Sequence, residues 1–197
     1  MVAKSLVLAT RNPHKIREFA RLLEPFGIAV EALPDKIELP PEVGETFIDN
    51  ALPKARTAAA ETGRAAIADD SGIESVALNG VPGVHSARYA GENATDEQNL
   101  AKLMHDAPPG SALRYVCVLA YVDPVNQHEQ VFEGQTTGRL AHYRRGERGF
   151  GYDPAFLPDD GPDTRTMAEL TDGEKDAISH RGRAARALAS WLRDDET

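Results

Sequence analysis

The sequence predicts an α/β chain, in which short apolar strands alternate with capped amphipathic helices. Three observations carry that reading. Ser5 to Thr10 is an apolar run that gives way to Asn12-Pro13, a helix start: Asn caps, and Pro suits the first helical position. Ile28 to Leu33 and Ala65 to Ala68 repeat the short apolar run on either side of a second helical pattern. Leu113 to Val122 and Gln130 to Leu140 are strand-like runs joined by Asp123-Pro124-Val125-Asn126, which reads as an antiparallel hairpin. With 197 residues, one domain is the default, and 41% apolar residues suffice for a sizeable core.

The elements follow in order. After Pro13, Ile16, Phe19, Ala20 and Leu23 recur at helical spacing, and Gly27 is placed to end the helix. Thr10, Asn12 and Lys15 therefore sit on a strand–loop–helix junction, where free amides, the helix dipole and a lysine favour an anion. The Gly-x-x-x-x-Gly-Lys spacing of a phosphate loop is absent. Thr46 opens the second helix, Phe47, Ala51, Ala55, Ala58 and Ala59 line one side, and Gly63 stops it. Pro53 lies inside that helix and should kink it, at about 3 kcal/mol if nothing compensates. Thr95 with Gln98 forms a capping box for a third helix, packed by Leu100, Leu103 and Met104 and broken at Pro108-Pro109-Gly110. Ser179 is placed to cap the last helix, with Ala184, Ala187, Leu188, Trp191 and Leu192 on its buried side.

Charge and cysteine usage exclude several classes. Lys and Arg number 22 against 31 Asp and Glu, a net −9, so the broad basic footprint of a polynucleotide binder is missing. One small anion can still be held locally. Cys117 is the only cysteine, which rules out an intramolecular disulfide and suits a reducing cytosol. Its place mid-strand marks it as a core residue rather than a nucleophile. No signal-peptide pattern opens the chain, and no apolar stretch is long enough to cross a bilayer.

The chemistry concentrates in Ala66 to Glu74. The apolar run ends in Asp69-Asp70-Ser71-Gly72, which reads as a turn. Two carboxylates leaving a strand end side by side suit a hard cation, and that edge of an α/β sheet is where ligands sit. The plainer reading is an Asx-turn. Glu42 or Glu45, beside Gly44 and ahead of the second helix, could add a further carboxylate. Arg148-Gly149-Phe150-Gly151-Tyr152-Asp153-Pro154 sets aromatics in a glycine-flanked loop, either to stack on a flat ligand or to plug the loop itself. His180 and Arg181 in the first turn of the last helix oppose its dipole, which suggests a compensating function.

Taken together, Thr10-x-Asn12-x-x-Lys15, Gly44-x-Thr46-Phe47 with Asn50-Ala51, Ala68-Asp69-Asp70-Ser71-Gly72, Pro82-Gly83 with Ser86-Ala87-Arg88-Tyr89, Phe150 to Pro154, Ala168-Glu169-Leu170, Glu174-Lys175 and Ser179-His180-Arg181 resemble the Ham1/RdgB family of inosine/xanthosine triphosphate pyrophosphatases. The resemblance runs from the first strand to the last helix. It implies a mixed central sheet flanked by helices, one catalytic domain over 1–197 made of two lobes with a nucleotide cleft, and a homodimer. It implies Mg²⁺-dependent hydrolysis of ITP, dITP or XTP to the monophosphate and pyrophosphate. Thr10, Arg11, Asn12, Pro13, His14 and Lys15 would hold the triphosphate, with Lys54 near it. Glu42, favoured over Glu45, and Asp70 would hold the metal; Asp70 would be the proton acceptor, and Ser71 would touch substrate. Phe150, Gly151, Tyr152, Asp153, Lys175, His180 and Arg181 would form the base pocket.

The residues suit that chemistry. Inosine and xanthosine carry a 6-oxo acceptor where adenosine carries a 6-amino donor, so donors from His180, Arg181 or Lys175 would pair with the first and clash with the second. An unpaired buried donor costs about 1–3 kcal/mol. Arg181→Ala is therefore expected to lose preference for ITP over ATP far more than it loses metal binding. Rival readings are a pyrophosphatase directed at modified pyrimidines and a nucleotide-binding regulator without turnover. A haloacid-type phosphatase lacks its Asp-x-Asp here, and a Nudix enzyme lacks its Glu-rich helix.

Overall fold

The first strand and helix form where the apolar run meets its cap. Lys4–Leu8 is β1, Pro13–Leu23 is α1, and Ile28–Ala32 is β2. The helix ends four residues before the glycine expected to stop it: a 3₁₀ turn, Glu24–Phe26, intervenes, and Gly27 caps that turn at φ +70°. These assignments come from a computed structural model that describes residues 4–161 and 164–194. The second helix, α2, runs Phe47–Thr62 between a Thr46 capping box and a left-handed Gly63. Pro53 lies inside it and the helix continues through.

β3 departs from the sequence reading. It spans Ala66–Ser75, so Asp69-Asp70-Ser71-Gly72 is not a turn but the middle of a ten-residue strand. The turn residues are overridden because neighbouring strands hydrogen-bond β3; Ala9 N–H donates to the Ile67 carbonyl at 2.8 Å. Adjacent carboxylates on a strand point to opposite faces rather than leaving side by side.

Gly83–Arg88 is a 3₁₀ helix. Asp96–Asp106 is α3, with the Thr95–Gln98 box formed as anticipated. The hairpin runs are β4, Ala112–Asp123, and β5, His128–Leu140; Phe156–Pro158 is β6. Asp172–Ile178 is α4, which the sequence reading passed over although Thr171-x-x-Glu174 is a capping box. His180–Asp194 is α5. On α5, Ala187 is exposed, and Ala185 and Ala189 are buried beside Ala184 and Leu188, so the apolar stripe is rotated from the face expected.

The sheet order is β2-β1-β3-β4-β5-β6, with β1 parallel to β2 and β3, and β5 antiparallel to β6. The chain divides into two compact units. The first takes the described residues through Asp70, Cys117–Gly134 and those from Arg181 on; the second takes Ser71–Val116 and Gln135–His180. In the first, Leu6, Leu8 and Ile67 of the sheet pack with Phe19 and Leu23 of α1 and Ala184 and Leu188 of α5. Cys117 lies in that core, and burial pushes its thiol pKa up. In the second, Ile73, Leu113, Tyr115 and Leu140 pack with Leu100 and Leu103 of α3 and with Tyr152, Phe156 and Leu170. Among the described residues no helix is long and apolar enough to cross a membrane.

The Thr95 hydroxyl accepts from Gln98 N–H at 3.2 Å, and the Gln98 side chain accepts from Thr95 N–H at 2.8 Å. Thr95→Ala should therefore cost about 1 kcal/mol, read as a fall of roughly 2–4 °C in Tm by calorimetry.

Candidate active site

The first unit assembles a charged cluster around β3. Asn12 caps α1: its Oδ1 accepts from the His14 amide at 2.8 Å and the Lys15 amide at 3.4 Å. The Thr10 hydroxyl accepts from Asn12 N–H at 3.2 Å. Pro13 has no amide hydrogen, and the Ile16 amide donates to the Asn12 carbonyl. The free amides expected here are thus already engaged. What this junction offers an anion is the helix field and the Lys15 ammonium.

Lys15 is not a solvated lysine. Its Nζ lies 3.0 Å from Asp69 Oδ1, and Asp69 has no solvent exposure. The Arg181 Nε lies 3.4 Å from Asp69 Oδ2, and its Nη1 donates to Glu18 at 3.2 Å. Lys54 Nζ donates to the Asp69 carbonyl at 2.9 Å and pairs with Glu42. Burial alone would raise the Asp69 pKa, but Lys15, Arg181 and Lys54 hold it well below the usual carboxylate range.

Asp70, one residue on, behaves oppositely. Its Oδ2 accepts from the Asn50 amide at 2.9 Å. Burial dominates and pushes its pKa up, against Lys54 and the Asn50 hydrogen bond. Burial also works to raise Glu42, yet the Lys54 charge and hydrogen bond, with Lys15, bring it below its ordinary value. Glu45 is exposed; Glu42 is the residue that the structure places at the cluster.

Among the described residues no three His, Cys, Asp or Glu gather as a metal cage. Glu42 and Asp70 are hard oxygen donors, and Asp70 is held through Oδ2 by the Asn50 amide. That fits a small divalent ion bound through one or two carboxylates and completed by phosphate and water.

The remaining sequence-assigned residues divide. Arg11 spends its guanidinium on the carbonyls of Leu33, Pro34, Asp35 and Ile37, fixing the segment after β2. His14 Nδ1 lies 3.0 Å from Arg17 Nη2, and Pro13 is exposed at the first turn. Arg181 engages Asp69 and Glu18 in the first unit, so Arg181→Ala would disturb that cluster and not only a base contact. The same bonds answer the dipole conflict at the start of α5.

In the second unit, Asp153 organises its loop. It accepts from Lys175 Nζ at 2.7 Å, from the Phe150 amide at 3.0 Å and from the Tyr115 hydroxyl at 3.2 Å. Gly149 has φ +73°, and a Cβ there would lie 2.1 Å from Asp153 Oδ2. Tyr152 is buried and donates to the Ser86 carbonyl at 2.7 Å, with burial pushing its pKa up. The Gly151 amide donates to Asp96 at 3.0 Å. Tyr152 therefore plugs the loop, while Phe150 stays half-buried with Lys175 Nζ 5.3 Å from its ring centroid. His180 stacks on Tyr115 at 4.5 Å and 5°. Ser71 is half-buried on β3.

Residues 6–191 match the family model described as the Ham1 family. The chain belongs to the Ham1 family. It is 47% identical to a dITP/XTP pyrophosphatase of Photorhabdus laumondii subsp. laumondii, over 97% of this chain and 99% of that one. Its structure is similar to a HAM1 protein from Coxiella burnetii, with TM-score 0.85 and 38% identity, covering 97% of this chain and 99% of the other. The Staphylococcus aureus Ham1 protein gives TM-score 0.82 at 37% identity, covering 98% and 100%. The mixed sheet with flanking helices expected from the family resemblance is thereby borne out.

Sequence reasoning missed Glu18, Asn50 and Tyr115 as site partners of this Ham1 protein. Glu18 was detectable as an acid three residues after Lys15 on a helical face. Asn50 accompanied the Gly44-x-Thr46-Phe47 motif without a role.

Asp69 has its folded pKa depressed, so its ionisation stabilises the fold above the unfolded value of about 3.9 and that contribution is lost as pH falls below it. Asp69→Asn should cost roughly 3–5 kcal/mol near neutrality, as breaking a buried ion pair does. Denaturant titrations should show that deficit constant above about pH 4 and shrinking below.

Proposed function

We propose that this chain acts as one catalytic domain that hydrolyses non-canonical purine nucleoside triphosphates, ITP, dITP and XTP, to the monophosphate and pyrophosphate. Membership of the Ham1 family and the dITP/XTP pyrophosphatase name of a 47% identical relative support it. The observation that carries it is the pair of adjacent strand carboxylates with opposed environments: Asp69 locked by cations, Asp70 left basic.

Lys15, at the start of α1, and Lys54 bind and neutralise the triphosphate, with Thr10 and Asn12 shaping the turn. Glu42 and Asp70 would hold Mg²⁺, which when bound offsets phosphate charge and makes a coordinated water more acidic. Asp70, held by the Asn50 amide, takes the proton from the attacking water. Asp69 is not a base, because its charge is spent on Lys15 and Arg181. Pyrophosphate departs as an anion stabilised by Lys15 and the helix field. Phe150 offers a ring for the purine, and Lys175 and His180 offer donors to its 6-oxo group, with Ser71 touching substrate. Cleansing of the nucleotide pool in the cytoplasm follows as the biological use, and the family resemblance supports a homodimer.

Turnover of ITP, XTP, dITP, GTP and ATP, with and without Mg²⁺, tests the reading. Pyrophosphate should be released from the first three, only with metal; orthophosphate as the product, or a preference for modified pyrimidines, would refute it. Asp70→Asn should lower kcat by about 10²–10⁴-fold. Acidification should weaken Mg²⁺ binding, because protons compete with the ion for the Asp70 and Glu42 carboxylates. Lys175→Met should lower the ITP/ATP ratio of kcat/KM by roughly tenfold, corresponding to one lost donor; an unchanged ratio would remove Lys175 from base recognition.

A further inference from the structure

The segment carrying Glu42 is tied down from α2 by two side chains. Asn50 and Lys54 stand at i and i+4 and share a helix face. Each reaches the segment ahead of α2 with one contact and β3 with another. Lys54 pairs with Glu42 and donates to the Asp69 carbonyl at 2.9 Å. Asn50 Oδ1 accepts from the Gly44 amide at 2.8 Å, and its Nδ2 donates to Asp70 Oδ2 at 2.9 Å.

The orientation of the Asn50 amide follows from its partners. Gly44 N–H can only donate, so oxygen faces it; nitrogen then faces Asp70, where an ionised carboxylate can only accept. Asn50 is 3% exposed, so water has little access to substitute for either bond. The close approach needs glycine at 44, since a Cβ there would lie 2.8 Å from Asn50 Oδ1 and 2.4 Å from Asp49 Cβ.

We propose that Asn50 is the positioning residue of the metal site: its one amide holds the Glu42 segment and the Asp70 carboxylate together, ready for the ion before it arrives. This rests on the reading of Glu42 and Asp70 as metal ligands. Asn50 touches neither substrate nor metal in this account; it acts through Gly44 and Asp70. Partners of this kind typically change metal affinity 10–100-fold when removed.

The test uses the full chain without nucleotide. Hydrogen exchange over a peptide containing Gly44 is followed together with a Mn²⁺ titration by water-proton relaxation. Asn50→Ala should speed exchange in that peptide while the β4–β5 strands keep wild-type protection, and should weaken Mn²⁺ binding by tenfold or more. Gly44→Ala, which pushes the segment away with Asn50 intact, should weaken Mn²⁺ binding in the same way, and it decides the matter if Asn50→Ala does not fold. Asp70→Asn is the reference for the metal site. If Asp70→Asn loses Mn²⁺ while folded Asn50→Ala and Gly44→Ala bind it as wild type does, the positioning role is overturned and the metal site stands. If Asp70→Asn also binds Mn²⁺ unchanged, the metal site itself is wrong, and the proposal falls with it.

Discussion

Asp69 is a carboxylate without access to water, and the first unit is arranged around keeping it charged. Taking such an ion out of water costs several kcal/mol unless opposite charges and hydrogen bonds replace the solvent. Lys15 from α1, Lys54 from α2 and Arg181 from α5 supply them. Three helices are thus held to one strand residue by charge, and α1 and α5 also by the apolar core of Leu8, Ile67, Phe19 and Leu188. Glu18 adds the carboxylate that Arg181 shares with Asp69.

Strand geometry then separates two like residues into two roles. Ile67 and Asp69 face α1 and α5, while Asp70 turns to Asn50 of α2. Asp70 receives an amide where Asp69 receives cations, so burial raises one pKa and the cations depress the other. A pair of neighbouring carboxylates with divergent pKa values is a familiar way to obtain an ionised anchor and a base from one residue type. The second unit repeats the anchor on a smaller scale, with Asp153 fixing Phe150 and Lys175 around itself.

Much of this was legible in the sequence where a local signal decides the outcome. The Asn12-Pro13 and Thr95–Gln98 caps formed as read, because a cap involves residues two or three apart. The Asp-Asp-Ser-Gly stretch was misread because turn propensity is local, while the strand hydrogen bonds that override it come from distant chain. Arg181 was assigned to the purine, yet its partners Glu18 and Asp69 lie far away in sequence, at separations no spacing rule reaches. Arg11 was grouped with the residues expected to hold the triphosphate, and its guanidinium donates to carbonyls of the segment after β2. Ala187 fell on the wrong side of α5 because its apolar stripe was phased one position off.

The measurement that bears most directly on this account is a carboxyl-carbon NMR titration of Asp69 and Asp70 in the full chain. Asp69 should remain ionised until the pH is below the ordinary aspartate value of about 3.9, and Asp70 should titrate above it. Asp69 taking up its proton at a higher pH than Asp70 would contradict the division of roles on which the proposed chemistry stands.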